Sequence, residues 1–236
     1  ADKQDAGKVL KMIREKVAFD AAAGGRKVAL LGEDEWPFPI PLAPEGGLWR
    51  FDTAAGKEEL LNRRIGRNEI LTLETLHGYV DAQHEYFAQG RDGTPPAYAQ
   101  RMRSNEGRHD GLFWSTAQGE PESPLGELAA RASAEGYLRD GDPEPDPYHG
   151  YYYRVLTAQG KAAAGGEKSY LDAKGLMTGG FAAIAWPALY GKSGVMTFMV
   201  DQQGTLVQKD LGAETGKAAP SITAYAPDGT WKPAGD

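Results

Sequence analysis

The sequence predicts an α+β fold in which one long helix packs on an antiparallel β-meander, and three observations point to it. Between residues 54 and 89 the apolar side chains Leu61, Ile65, Leu73, Leu76, Val80 and Phe87 recur at mixed three- and four-residue steps, the period of an amphipathic helix. From residue 148 to 210 four β-rich runs are separated by turn residues. The 31 Gly and 15 Pro in 236 residues ask for many turns and short strands.

Taken in order, residues 8–19 set Val9, Met12, Ile13, Lys16 and Val17 roughly on one face, which predicts a short helix stopped by Gly24 and Gly25. Residues 27–32 and 48–52 read as strands. Between them, Trp36-Pro37-Phe38-Pro39-Ile40-Pro41 alternates prolines that cannot donate to a ladder, so it reads as an edge strand or an extended crossing segment. Thr53 is expected to cap the long helix, with Glu58 and Glu59 in its first turns where the dipole favours acids. At 1.5 Å per residue such a helix is about 50 Å long, and Gly66 and Gly78 are its weak points.

Residues 89–147 loosen into Gly, Pro and charged side chains, with a further helix expected at 124–136. The β-rich runs are 148–157, 179–190, 194–200 and 205–210, with Asp201-Gln202-Gln203-Gly204 as a hairpin loop. The expected division is a small N-terminal α+β segment at 1–53, a partial domain, followed by the helix-plus-sheet domain at 54–236. An apolar helix face needs a partner, and the meander is the surface of matching length.

The net charge of -7, from 26 basic and 33 acidic residues without a Lys/Arg block, argues against nucleic acid or an anionic membrane as partner. Arg101, Arg103 and Arg108 form the densest basic stretch and read as a solvated loop with local ion pairs. The chain has no cysteine, which excludes disulfides, thiolate metal sites and cysteine nucleophiles. No apolar run approaches the roughly 20 residues of a membrane-spanning helix.

Several constellations carry chemical potential. His77, Asp81 and His84 lie on one helical stripe, but the histidines sit about 10 Å apart, too far to share a metal. His84-Glu85 begins like a metallopeptidase signature, yet Ala88 stands where the second histidine is required. Ser104, Ser115 and Ser123 with His109 and Asp110 supply triad residue types, but no serine sits in a Gly-x-Ser-x-Gly elbow. Asp140, Asp142, Glu144 and Asp146 place carboxylates at two-residue steps, a weak calcium candidate that lacks the later bidentate Glu. The glycine pairs lack the strand and helix context of nucleotide loops, and no cofactor is expected.

Tyr148, His149, Tyr151, Tyr153 and Arg154 are the expected ligand or partner contacts. Strand alternation puts Tyr151 and Tyr153 on one face and Tyr152 and Arg154 on the other, so one set is core and the other is available for contact.

Four stretches carry a family resemblance: Trp49-Arg50-Phe51-Asp52-Thr53 continuing through Asn68-Glu69; Tyr79-Val80-Asp81-Ala82-Gln83; Pro147-Tyr148-His149-Gly150-Tyr151 through Gly160; and Gly179-Gly180-Phe181-Ala182 through Gly212. On them the chain resembles an uncharacterised bacterial family, domain of unknown function 2950. The resemblance brings no catalytic residues. Its members carry a secretion signal and further residues ahead of the point matching Ala1, which implies a periplasmic or extracellular location and an N-terminal leader. The helix followed by a meander also resembles the globular part of type IV pilins and pseudopilins. The first fifty residues resemble the end of the cone-shaped fold of the nuclear transport factor two superfamily.

The functional expectation is a non-catalytic protein that binds or scaffolds macromolecules of the cell envelope. The alternative is an enzyme or small-ligand binder using a pocket around His149, Tyr151 and Arg154.

Overall fold

A computed structural model describes residues 2–90, 95–116, 122–126 and 147–235. The α+β class is as expected. The chain forms two compact units, Ala1–Arg64 and Ile65–Asp236. The expected 124–136 helix beyond Gly126 and the acidic loop with Asp140, Asp142, Glu144 and Asp146 lie outside the described residues.

In the first unit, α1 spans Asp2–Glu15. The chain leaves the helix four residues earlier than its periodicity suggests, because Val17–Ala22 (β1) pairs antiparallel with Arg26–Leu31 (β2) from Val17↔Leu31 to Ala22↔Arg26. Val17 satisfies both a helical and a strand pattern, and six cross-strand pairs decide for the strand. Gly24 and Gly25 are the hairpin turn rather than a helix stop, with φ of 71° and 72° that suit glycine.

The proline-rich stretch enters the sheet only through Trp36–Pro37 (β3), which pairs with the end of β2. Leu42–Glu45 (β4), not expected from the sequence, joins β2 at Lys27↔Leu42 and runs antiparallel to Leu48–Phe51 (β5).

The long helix, α2, spans Thr53–Gln89 and continues through Gly66 and Gly78. Its N-terminal cap is Asp52, one residue before the expected Thr53. The Ala55 N–H donates to Asp52 Oδ1 at 3.0 Å, and Arg26 Nε donates to Oδ2 at 2.8 Å. The Ala55 N–H, then Arg26, hold the Asp52 carboxyl below the usual range.

The second unit is a true meander. Tyr151–Leu156 (β6), Ala182–Pro187 (β9), Met196–Asp201 (β10), Leu206–Asp210 (β11) and Lys232–Pro233 (β12) lie side by side in chain order, every pair antiparallel. Ala158–Gln159 (β7) and Lys168–Ser169 (β8) form a separate ribbon. The β10–β11 loop is the expected Asp201-Gln202-Gln203-Gly204 turn, where Asp201 Oδ1 accepts the Gln203 and Thr205 N–H groups.

One face of the meander packs on the Ile65-to-Gln89 part of α2. The buried helix positions are Thr72, Leu76, Tyr79, Val80, Ala82, Gln83 and Tyr86, with Leu73 against the same core. Leu76 and Val80 thus pack as expected, but the seam through 72, 76, 79, 83 and 86 is half polar. Each polar member is satisfied. Tyr79 Oη donates to Ala182 O at 3.0 Å; Gln83 Nε2 donates to Tyr79 Oη at 3.0 Å and to Ala99 O at 2.8 Å; the Ala99 N–H donates to Gln83 Oε1 at 2.8 Å. The small Ala183 and Ala185 on interior strand β9 are fully buried beneath, and the Tyr79 ring meets Phe181 edge-on at 5.7 Å. Thr215–Ser221 (α3) also packs against β9, through the buried Ala219.

Leu76→Asp should cost more than about 4 kcal/mol and unfold the second unit, since it buries an unpaired carboxylate. Tyr79→Phe should cost about 1–3 kcal/mol by orphaning the Ala182 carbonyl and one Gln83 donor, while the exposed His84→Ala should stay within about 1 kcal/mol. Urea unfolding followed by circular dichroism measures all three.

Candidate functional site

The expected contact residues start at a tight turn. Tyr148 and Tyr151 exchange backbone hydrogen bonds at 2.9 and 3.0 Å, and the two central residues, His149 and Gly150, have φ of 49° and 75°. Positive φ at both positions is the signature of a type I′ turn. A side chain at Gly150 would also collide, its Cβ falling 2.8 Å from Ser193 Cβ and 2.9 Å from Asn68 Nδ2. His149 is a strained non-glycine and is buried.

From this turn β6 alternates as its sequence predicts. Tyr151 and Tyr153 face α2. The Tyr151 hydroxyl lies 3.0 Å from Met196 O and 3.4 Å from Glu69 Oε1, and Glu69 Oε1 accepts the Val195 and Met196 N–H groups at 2.8 and 3.0 Å. Tyr153 Oη donates to Thr72 Oγ1 at 3.2 Å. Tyr151 needs Gly194, because a Cβ there would sit 2.0 Å from its hydroxyl oxygen. Burial pushes both phenols well above their ordinary value, with Glu69 adding to the effect at Tyr151.

Tyr152 and Arg154 project from the other face. The Tyr152 ring lies 5.9 Å from Trp186 and the Arg154 guanidinium 5.7 Å from the same indole. Arg154 also donates to the carbonyls of Pro220 and Ile222 at the end of α3, where a cation complements the helix dipole. A single pocket around His149, Tyr151 and Arg154 is therefore not formed: His149 lines a cleft, Tyr151 is interior, and Arg154 lies across the sheet.

That cleft, about 570 Å³ in volume, runs along the α2 flank of the second unit. Glu74, Asp81, Glu85 and Glu122 contribute carboxylates, and Thr75, Gln89, Ser123, Tyr148 and His149 contribute further polar lining. Glu74, Asp81 and Glu85 fall on one helical face at steps of seven and four. This signal was present in the sequence, but Asp81 reads there as part of a histidine stripe. In the fold that stripe separates, as His84 Nε2 lies 3.3 Å from Gln202 O while Asp81 lines the cleft. Among the described residues no group of three acids or histidines converges on a metal position.

Ser123 and His149 share the cleft, yet Ser123 Oγ, buried, has no hydrogen-bond partner among the described residues. A seryl nucleophile requires a base within hydrogen-bond reach, and among the described residues none is bonded to Ser123. Arg101 pairs with Asn105 and Asp110 as a solvated loop would.

A protein-family model described as "Protein of unknown function (DUF2950)" matches residues 1–234. No curated protein and no solved structure gives a significant match to the chain. The pilin-like and cone-like resemblances are thus carried by the pattern of elements alone.

Gly150→Ala should destabilise the second unit by about 1–3 kcal/mol, through both the left-handed turn and the close approach of Ser193, as read by thermal or urea unfolding. The raised phenol pKa values fix a pH dependence. Tyr79, Tyr151, Tyr153 and Tyr225 keep their protons in the fold, whereas the unfolded phenols ionise near pH 10. The unfolded state then binds fewer protons, so stability should be retained below about pH 10 and fall as pH rises above it. Absorbance at the phenolate band should show these tyrosines titrating only together with unfolding.

Proposed function

We propose that this chain, which belongs to the DUF2950 family of proteins of unknown function, is a non-catalytic protein of the periplasm or cell exterior that binds or scaffolds another envelope protein. The observation that carries the reading is the exposed aromatic face of the N-terminal sheet. Register puts Phe19, opposite Ala29, on the same side as Trp49 and Phe51, whose strand pairs back through Leu42 to Lys27. Phe19, Trp49 and Phe51 are 54, 45 and 58% exposed. Phe38 bridges Trp36 and Phe51 at ring separations of 6.2 and 5.8 Å, extending one ridge of rings.

Several exposed rings on one sheet face are costly in water and mark protein contact sites. Lys27 over Trp49, at 4.7 Å, and Arg63 over Trp36, at 5.6 Å, put two cations on the ridge. The complementary partner is a protein with an apolar patch rimmed by acids. The export signals that the family resemblance implies support the location.

A photo-crosslinker at position 51 should capture a discrete envelope protein from intact cells, and the same group at Asp20, on the other face of β1, should not. Equal capture from both positions contradicts the reading, as does turnover of a hydrolase substrate that is abolished by His149→Ala. Fractionation should find the native protein outside the cytoplasm, and its recovery in the cytosol contradicts the proposed location.

A further inference from the structure

The geometry points to a second copy of this chain as the partner of β1, paired antiparallel along its free edge about a two-fold axis at Ala18. The strand ends the N-terminal sheet, with β2 on one side and no strand among the described residues on the other. Two hydrogen bonds fix which backbone groups face outward. The Gly32 N–H donates to Lys16 O at 3.0 Å, so the Lys16 carbonyl points toward β2, and alternation turns Ala18 and Asp20 the same way. Ala29, opposite Phe19, instead accepts the Phe38 N–H at 2.8 Å on the far side of β2. The backbone N–H and C=O groups of Val17, Phe19 and Ala21 therefore line the open edge. Neither a proline nor a bulge blunts it, since the pairing with β2 is continuous from Val17 to Ala22.

Charge complementarity selects the second copy as the occupant. Outward-facing residues must meet outward-facing residues, so the axis passes through a residue and not between two. Centred on Ala18, the pairing sets Lys16 of each copy opposite Asp20 of the other on one face, and Val17 opposite Phe19 on the other face. Centred on Asp20, it would press two carboxylates together; centred on Phe19, it would leave both charges unmatched. Lys16 already donates to Glu35 at 2.9 Å, but an ammonium group has further donors to give. Asp20 is exposed and has no ion pair among the described residues. Residues 1–64 hold eleven basic and eleven acidic side chains, so no net charge on this unit opposes the approach. Val17 and Phe19 lie on the face of the aromatic ridge, so the pairing joins two ridges into one symmetric surface.

A single cysteine tests the register, since the chain has none of its own. Ala18 meets its own counterpart as a non-hydrogen-bonded pair, where Cα atoms lie about 4.5 Å apart and a disulfide closes readily. In the full chain, Ala18→Cys should give a disulfide-linked dimer under mild oxidation, and Ala22→Cys, on the same face of β1, should not. Sedimentation equilibrium of the unsubstituted chain should show reversible dimers in the micromolar range, weakened by salt. Lys16→Asp or Asp20→Lys alone should weaken the dimer roughly tenfold or more, and the two together should restore it. Melting temperatures report whether each charge variant folds, and the cysteine pair decides the register independently of them. A chain monomeric up to about 1 mM, equal linking through Ala18→Cys and Ala22→Cys, or a folded double variant as weak as the single ones would overturn the proposal. The aromatic ridge is read as binding a different protein. Products that link two copies of this chain therefore bear on β1 alone, and either reading can fail without the other.

Discussion

The second unit depends on one side-chain amide. Gln83 is fully buried on α2, and its carboxamide holds both the N–H and the carbonyl of Ala99 while donating to the Tyr79 hydroxyl. Tyr79 passes the connection on to the carbonyl of Ala182 in interior strand β9. A buried amide and phenol are costly unless every group is paired. Here the pairing is complete, so the cost becomes specificity: only one rotation and one axial position of the helix satisfy the chain of bonds.

The same logic runs down the helix. Asn68 donates to Ser193 O at 2.8 Å, Glu69 receives two backbone N–H groups at the start of β10, and Thr72 receives Tyr153. Glycines make the approach possible at Gly150 and Gly194, where any Cβ would strike these partners. Apolar burial of Leu76, Phe181 and Phe198 drives the layers together, and the polar seam sets their register.

Much of this was legible in the sequence. The meander could be read because its β-rich runs sit between turn residues, and parity alone put Tyr151 and Tyr153 on one face of β6 and Tyr152 on the other. The helix could be read from its apolar period, but its true seam could not: Thr72, Gln83 and Tyr86 count as polar in any hydrophobic pattern, and their buried partners are backbone groups remote in sequence. Residues 16–19 were misread because Val17 and Phe19 fit both periods, and only pairing with β2 decides between them. At the site, alternation separated Tyr151 from Arg154 without saying which face is covered. The acidic row at 74, 81 and 85 was visible only as scattered surface charge, because a cleft also needs Ser123 and the Tyr148–His149 turn, brought beside α2 by the fold.

The Ala99 amide gives the most direct measurement of the polar clamp. It lies outside any helix or strand, yet it is buried and bonded to Gln83. Native-state hydrogen exchange should find it opening only with global unfolding, as slowly as the amides of β9 and β10, and Gln83→Leu should accelerate it by roughly a hundredfold or more. An Ala99 amide in the unsubstituted protein that exchanges as fast as the exposed Asn105 loop would contradict the account, because the seam would then hold nothing in register.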